Sequence, residues 1–151
     1  MPAPTTEAGQ KVTKKTKDGR MVFEHNGQTI YEWEQSLDEC NIYISPPPWV
    51  TKHLLDVKIE HTTLSVGLKD GSPPFLSEAT GGAVKVVESF WTLSDGELNI
   101  NLQKMRKGER WLCALGGAHG QKLDPITDET EKKKLMLERF QEEHPGFDFS
   151  G

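Results

Sequence analysis

The sequence predicts an all-β fold: an antiparallel β-sandwich of seven or eight short strands with a C-terminal helix. Three observations carry this expectation. Apolar and polar residues alternate with period two from Thr29 to Leu115, the pattern of strands that bury one face. Turn residues break the alternation at short intervals, and no helical pattern separates the runs. That argues for two packed antiparallel sheets and against a parallel α/β arrangement. After Leu115 a glycine-containing stretch gives way to helical spacing.

Residues 1–28 read as a flexible, solvated arm: over the first twenty, Lys11, Lys14, Lys15, Lys17 and Arg20 outnumber Glu7 and Asp18, and Val12 is the only sizeable interior aliphatic. The folded body is expected over 29–115. Within it Cys40, Ile42 and Ile44 share one strand face, opposite Asn41, Tyr43 and Ser45. Pro46, Pro47 and Pro48 cannot donate ladder hydrogen bonds, so they form a stiff loop after that strand. Leu55, Val57 and Ile59 alternate with Asp56, Lys58 and Glu60, and the pattern resumes at Leu64, Val66 and Leu68, which reads as a hairpin. Pro73-Pro74 marks a loop or a strand entry. Val84 and Val86 alternate with Lys85, then Ser89, Trp91 and Leu93 oppose Phe90 and Thr92. Asp95-Gly96 turns the chain back into Leu98, Ile100 and Leu102, whose opposite face is Asn99, Asn101 and Gln103. A last short run, Trp111 to Leu115, follows the Lys107-Gly108 turn.

Residues 116–127 read as a linker and 128–151 as a helix with a tail. Thr127 is a candidate N-cap, and Asp128, Glu129 and Glu131 complement the helix dipole. Leu135, Met136 and Phe140 form an apolar stripe, until His144-Pro145-Gly146 stops the helix near residue 143. The stripe needs cover from the same chain or from a partner, so monomer and dimer both fit.

Composition excludes several classes. The 151 residues suit one domain with one core. No run approaches the roughly 18 to 20 consecutive apolar residues of a membrane helix, and no signal-peptide core is present, so no membrane role is expected. The net charge is −5, and the first twenty residues are basic, so the acidity lies in the body, which repels phosphate backbones. No nucleic acid partner is expected. Cys40 and Cys113 sit in alternating runs without a C-x-x-C, and no N-x-S/T acceptor occurs. A reduced, cytoplasmic protein follows.

Catalysis needs a nucleophile with a base, a carboxylate pair or a metal cluster, and no such set stands out. His53 and His61 flank a strand without further ligands nearby. Gly116-Gly117-Ala118-His119-Gly120 lacks the Gly-Lys-Ser/Thr of a phosphate loop. No enzyme activity, cofactor or metal is expected. Trp33, Trp91 and Trp111 lie in strand patterns and are expected to pack, whereas Trp49, beside the triple proline, is the candidate exposed anchor.

Longer motifs add a family resemblance. Tyr31-Glu32-Trp33-Glu34-Gln35-Ser36-Leu37-Asp38-Glu39, a strand ending in prolines, Leu64-Ser65-Val66-Gly67-Leu68 and Ser89-Phe90-Trp91-Thr92-Leu93 resemble, in motif and order, the CS domain of the NudC family over roughly residues 29–115. The segment from Leu137 through Phe140 and His144-Pro145-Gly146-Phe147-Asp148-Phe149 to Gly151 resembles the tail of NudC proteins. The resemblance implies a sandwich of the kind found in small heat-shock proteins and in co-chaperones of heat-shock protein 90. It also implies a non-catalytic role: chaperone or co-chaperone action, association with heat-shock protein 90, binding of unfolded or propeller-type clients, and support of the dynein regulatory machinery.

On this reading Glu34, Tyr43 and Lys85 are candidate contacts on exposed strand faces, and Trp49 is an anchor. Phe140, Phe147 and Phe149 offer a second contact from the helix and tail, where aromatics near a chain end need cover. The alternative is a dynein-pathway adaptor that acts through its C-terminal helix without binding clients.

Overall fold

The computed structural model describes residues 11–12, 19–25, 27–116, 122–123 and 125–143. In chain order the strands are β1 (Lys11–Val12), β2 (Met21–His25), β3 (Gln28–Gln35), β4 (Glu39–Ile44), β5 (Leu55–Ile59), β6 (Thr63–Leu68), β7 (Leu76–Ala79), β8 (Phe90–Ser94), β9 (Glu97–Gln103) and β10 (Lys122–Leu123), followed by helix α1 (Pro125–Glu143). One antiparallel sheet has the order β2-β3-β4-β9-β8 and the other β5-β6-β7, while β1 pairs in parallel with β10. The expected sandwich with a C-terminal helix is therefore the observed fold.

The core follows from the alternation. Tyr31, Trp33, Cys40, Ile42, Ile44, Leu98, Ile100 and Leu102 are buried on the inner face of the larger sheet, and Leu55, Leu64 and Val66 meet them from the smaller one. Register is set by this pattern, because a one-residue slip would turn a whole apolar set into water. The row Trp33, Ile42, Ile100, Trp91 shows it, with each residue directly opposite the next across four strands. Trp33 and Trp111 are fully enclosed and Trp91 is half-buried against the same cluster. The β8–β9 hairpin closes through Asp95 and Gly96 with φ of 53° and 75°, the left-handed pair that matches strand twist in a two-residue turn.

Four expectations are corrected. The sheet starts before residue 29, since Met21–His25 is an edge strand and Met21 is fully buried opposite Trp33. Three apolar residues at 21–23 beside a basic stretch do not announce a strand; the exposed flank of Trp33 recruits it. Val84 to Val86 is not a strand either. Val84 makes one bridge, to Lys104, and Val86–Glu88 forms a 3-10 turn. The Ser89 hydroxyl donates to the Lys85 carbonyl and accepts from the Gln103 N–H, standing in for ladder bonds.

Trp111 to Leu115 makes only the bridge from Leu115 to Thr80. Its strand partner is replaced by a side chain: the Gln35 amide accepts from the Trp111 N–H at 3.0 Å and donates to the Trp111 carbonyl at 2.9 Å. Finally, α1 begins at Pro125, a residue suited to the first helical position, so Thr127 lies in its first turn instead of capping it.

The helix rests on the β3–β4 turn. Leu135 is buried, the Leu37 N–H donates to the Glu138 carboxylate at 3.4 Å, and Lys107 pairs with Glu142. The stripe is covered only in part, because Met136 remains 63% exposed and Phe140 38%.

Candidate partner-binding surfaces

The outer face of the five-stranded sheet carries the residues that alternate with the core. On it the Tyr43 hydroxyl donates to the Glu34 carboxylate at 2.5 Å. The Arg20 guanidinium lies 3.5 Å from the Tyr43 ring centroid, a cation–π contact. It also reaches Glu97 at 2.8 Å and Glu32 at 3.3 Å. Beside this cluster runs an amide ladder: Asn101 donates to Glu39 and Asn41 at 2.7 and 3.0 Å, and Gln103 donates to Glu39 and to Asn101 at 2.9 and 2.7 Å. Side chains held this way present a flat polar surface that is already ordered before any partner arrives.

Two tyrosines are present in the chain, and both resist ionisation. Burial pushes the Tyr31 phenol well above its ordinary value. Burial, and then the hydrogen bond to Glu34, do the same for Tyr43. The folded state thus keeps phenol protons that the unfolded chain releases, so stability falls as pH rises past about 10. In a spectrophotometric titration neither phenolate should appear near pH 10 until the protein unfolds. A full tyrosine equivalent ionising there with the fold intact would contradict the Glu34–Tyr43–Arg20 geometry.

The structure joins Glu34 and Tyr43 but leaves Lys85 apart. Lys85 precedes the 3-10 turn, off any strand, and its N–H bonds the Gln103 carbonyl. Gln103 lies four residues along β9 from Asn99, which faces Tyr43, a separation of about 14 Å. The sequence reading missed Arg20, which it placed in the arm.

A second surface opens where prolines stop the ladders. Pro46-Pro47-Pro48 follow the end of β4 and Pro73-Pro74 precede β7, and the gap between them is a groove of about 230 Å³ walled by Ile44, Pro47, Val50, Leu55 and Val66. Trp49 stands at its mouth, 62% exposed, as the sequence suggests, and Phe75 faces it at 58%. Phe75 was not anticipated; the signal available was an aromatic directly after Pro-Pro. Phe75 also borders a second hollow of about 250 Å³ formed by Phe23, Ile30, Tyr31 and Leu115. Elsewhere Phe90 and Val87 are exposed near edge strand β8. Phe147 and Phe149 lie outside the described residues.

Among the described residues no three His, Cys, Asp or Glu side chains stand close enough together to hold a metal ion. Cys40 is fully buried, and burial pushes its thiol far above the range where it would act as a nucleophile. Among the described residues no helix is long and apolar enough to cross a membrane. The surfaces suit contact with another macromolecule.

The family model for the CS domain matches residues 29–104. NudC domain-containing protein 2 of Homo sapiens is 33% identical over 125 residues, covering 80% of this chain and 76% of that protein. The nuclear movement protein nudc of Schizosaccharomyces pombe is 26% identical over 150 residues, covering 80% of this chain and 90% of that protein. The solution structure of the CS domain of human KIAA1068 protein superposes with a TM-score of 0.58 at 19% identity, covering 79% of this chain and 95% of that one. That likeness bears on the fold alone.

Proposed function

Because this chain belongs to the NudC family of CS-domain proteins, we propose that it is a non-catalytic, cytoplasmic co-chaperone. It binds heat-shock protein 90, client proteins or both, and so supports the folding or stability of dynein-regulator proteins. The observation that supports this reading is the ordered outer face of the larger sheet, where Arg20, Glu34 and Tyr43 are locked together beside the Asn41–Asn101–Gln103 ladder. A partner docking there meets side chains whose rotamers are already restricted, so little ordering entropy opposes the complex. Trp49 and Phe75 add exposed aromatic area of the kind that anchors interfaces.

An isotope-labelled NMR titration with heat-shock protein 90, with and without an ATP analogue, tests the proposal. Saturable shifts are expected at Tyr43, Glu34 and Asn99. Tyr43→Ala should weaken binding about tenfold, in the range of a modest hot spot, while Lys85→Ala should have less effect. If no signal shifts in any nucleotide state, direct co-chaperone action fails.

One observation favours the adaptor reading as second choice: Met136 and Leu137 on α1 are 63% and 48% exposed. Under that reading a Met136→Ser, Leu137→Ser variant loses its partner while Tyr43→Ala keeps it.

A further inference from the structure

We propose that Ser72 is a phosphorylation site for a proline-directed protein kinase, and that Lys58 and Lys69 receive the phosphate in the polar hollow beside it. The chain contains two Ser-Pro dipeptides, Ser45-Pro46 and Ser72-Pro73, and no Thr-Pro. Proline after the acceptor suits a kinase whose next subsite is closed and apolar. It brings no backbone N–H to be left unsatisfied there, and its fixed φ keeps the segment extended.

The fold separates the two serines. A kinase cleft takes its substrate as an extended segment, so the residues around the acceptor must come free of their own sheet. Ser45 directly follows β4, which is laddered to β3 on one side and to β9 on the other. Ser72 lies between β6 and β7, and every residue from 69 to 75 is exposed. Its N–H and hydroxyl both donate to the Asp70 carboxylate, at 2.9 and 2.5 Å, local contacts that break without opening a ladder. In the transfer, the Ser72 hydroxyl oxygen attacks the γ-phosphorus of magnesium-bound ATP held by the kinase. The bond from that phosphorus to the β,γ-bridging oxygen breaks, ADP leaves, and the hydroxyl proton passes to the kinase's catalytic carboxylate.

The hollow supplies what the new group needs. The loop folds down over the outer face of the smaller sheet, where a Cβ at Gly67 would lie 3.0 Å from the Pro74 Cα. There Ser72 shares a polar hollow of about 290 Å³ with Asp56, Lys58, Ser65 and Lys69. Phosphoserine carries about −1.5 to −2 charges at neutral pH and three strong acceptor oxygens. It has lost the proton that bonded Asp70 and is repelled by that carboxylate, so it turns towards the lysines. Lys58, 68% exposed, lies 3.7 Å from Asp56, a weak surface pair that a dianion outcompetes. Ser72 also lines the groove beside Trp49 and Phe75, so the modification sets a dianion at the lip of an apolar surface.

The test incubates the full chain with magnesium-ATP and a purified kinase of the cyclin-dependent class, and separately of the mitogen-activated class, both proline-directed. Intact mass and peptide mapping are expected to show one phosphate, on Ser72, with Ser45 unmodified and no incorporation in Ser72→Ala. Phosphorus NMR of the product should give a second phosphate pKa about half a pH unit below the ordinary value near 6, the effect of exposed ion pairs. In a Lys58→Gln, Lys69→Gln variant it should return to that of a phosphorylated peptide of residues 68–76. No phosphate from either kinase, or undiminished incorporation in Ser72→Ala, overturns the site. Incorporation at Ser45 equal to that at Ser72 overturns the selection by the fold. A phosphate on the full chain that titrates like the peptide's overturns the role of the lysines.

Discussion

Lys104→Met is expected to destabilise the protein by about 3 kcal/mol, through loss of a buried ammonium that three acceptors depend on. Lys104 is 2% exposed, and its Nζ donates to the Gln35 side-chain oxygen at 2.9 Å, the Ser36 carbonyl at 2.7 Å and the Glu109 carbonyl at 2.6 Å. Burial is the main influence that opposes the charge and lowers the pKa of this amine; the three hydrogen bonds hold it in place. Methionine keeps most of the stem's volume but no donor, so the Gln35 oxygen would keep only the Trp111 N–H, and the Ser36 and Glu109 carbonyls would lose the ammonium away from water.

The damage should spread along a defined route. Gln35 also carries both backbone bonds of Trp111, and Leu37 and Gly108 beside it form the surface on which α1 rests. Urea unfolding should show a lower midpoint with an unchanged slope, and hydrogen exchange in α1 should quicken. A loss under about 1 kcal/mol would mean that the acceptors find water or another donor.

Gly81→Ala is expected to cost about 3 kcal/mol as well, by a different mechanism. A Cβ at Gly81 would lie 1.9 Å from the Cys113 carbonyl oxygen and 3.0 Å from the Trp111 ring. The oxygen belongs to the backbone, so neither atom can swing aside. The strand-like contact in which the Gly81 N–H donates to the Ala114 carbonyl at 2.8 Å would have to open. Gly116→Ala is the control, since its Cβ would meet the Cys113 sulfur at an ordinary 3.7 Å. Thermal unfolding should separate the two variants by many degrees, because 1 kcal/mol moves a domain of this size by several. Equal midpoints would show that the 113–114 segment yields to let the methyl group in.

Both effects sit where the sequence is least legible. Gly81-Gly82 is visible as a soft spot before the Trp91 strand, but nothing near it says that Trp111 and Cys113 press against it. Lys104 follows Asn99, Asn101 and Gln103 and reads as a solvated residue at a strand end. Its partner Gln35 is 69 positions away, and Trp111 is 76 positions from Gln35.

By itself the sequence determined the alternating faces of β3, β4, β8 and β9, the β5–β6 hairpin, the Asp95-Gly96 reversal, the exposed Trp49 and the family motifs. Each depends on residues close together in the chain: period two states which face is apolar, and turn residues state where it ends. Only the tertiary structure decided that Met21–His25 joins the sheet, that Arg20 closes over Tyr43 and Glu34, that Trp111 takes a side chain in place of a strand, and that Phe75 stands opposite Trp49. In these cases a polar or apolar group finds its partner across a long stretch of chain. Local periodicity shows that a backbone or side-chain group must be satisfied, but three-dimensional packing selects the distant residue that satisfies it.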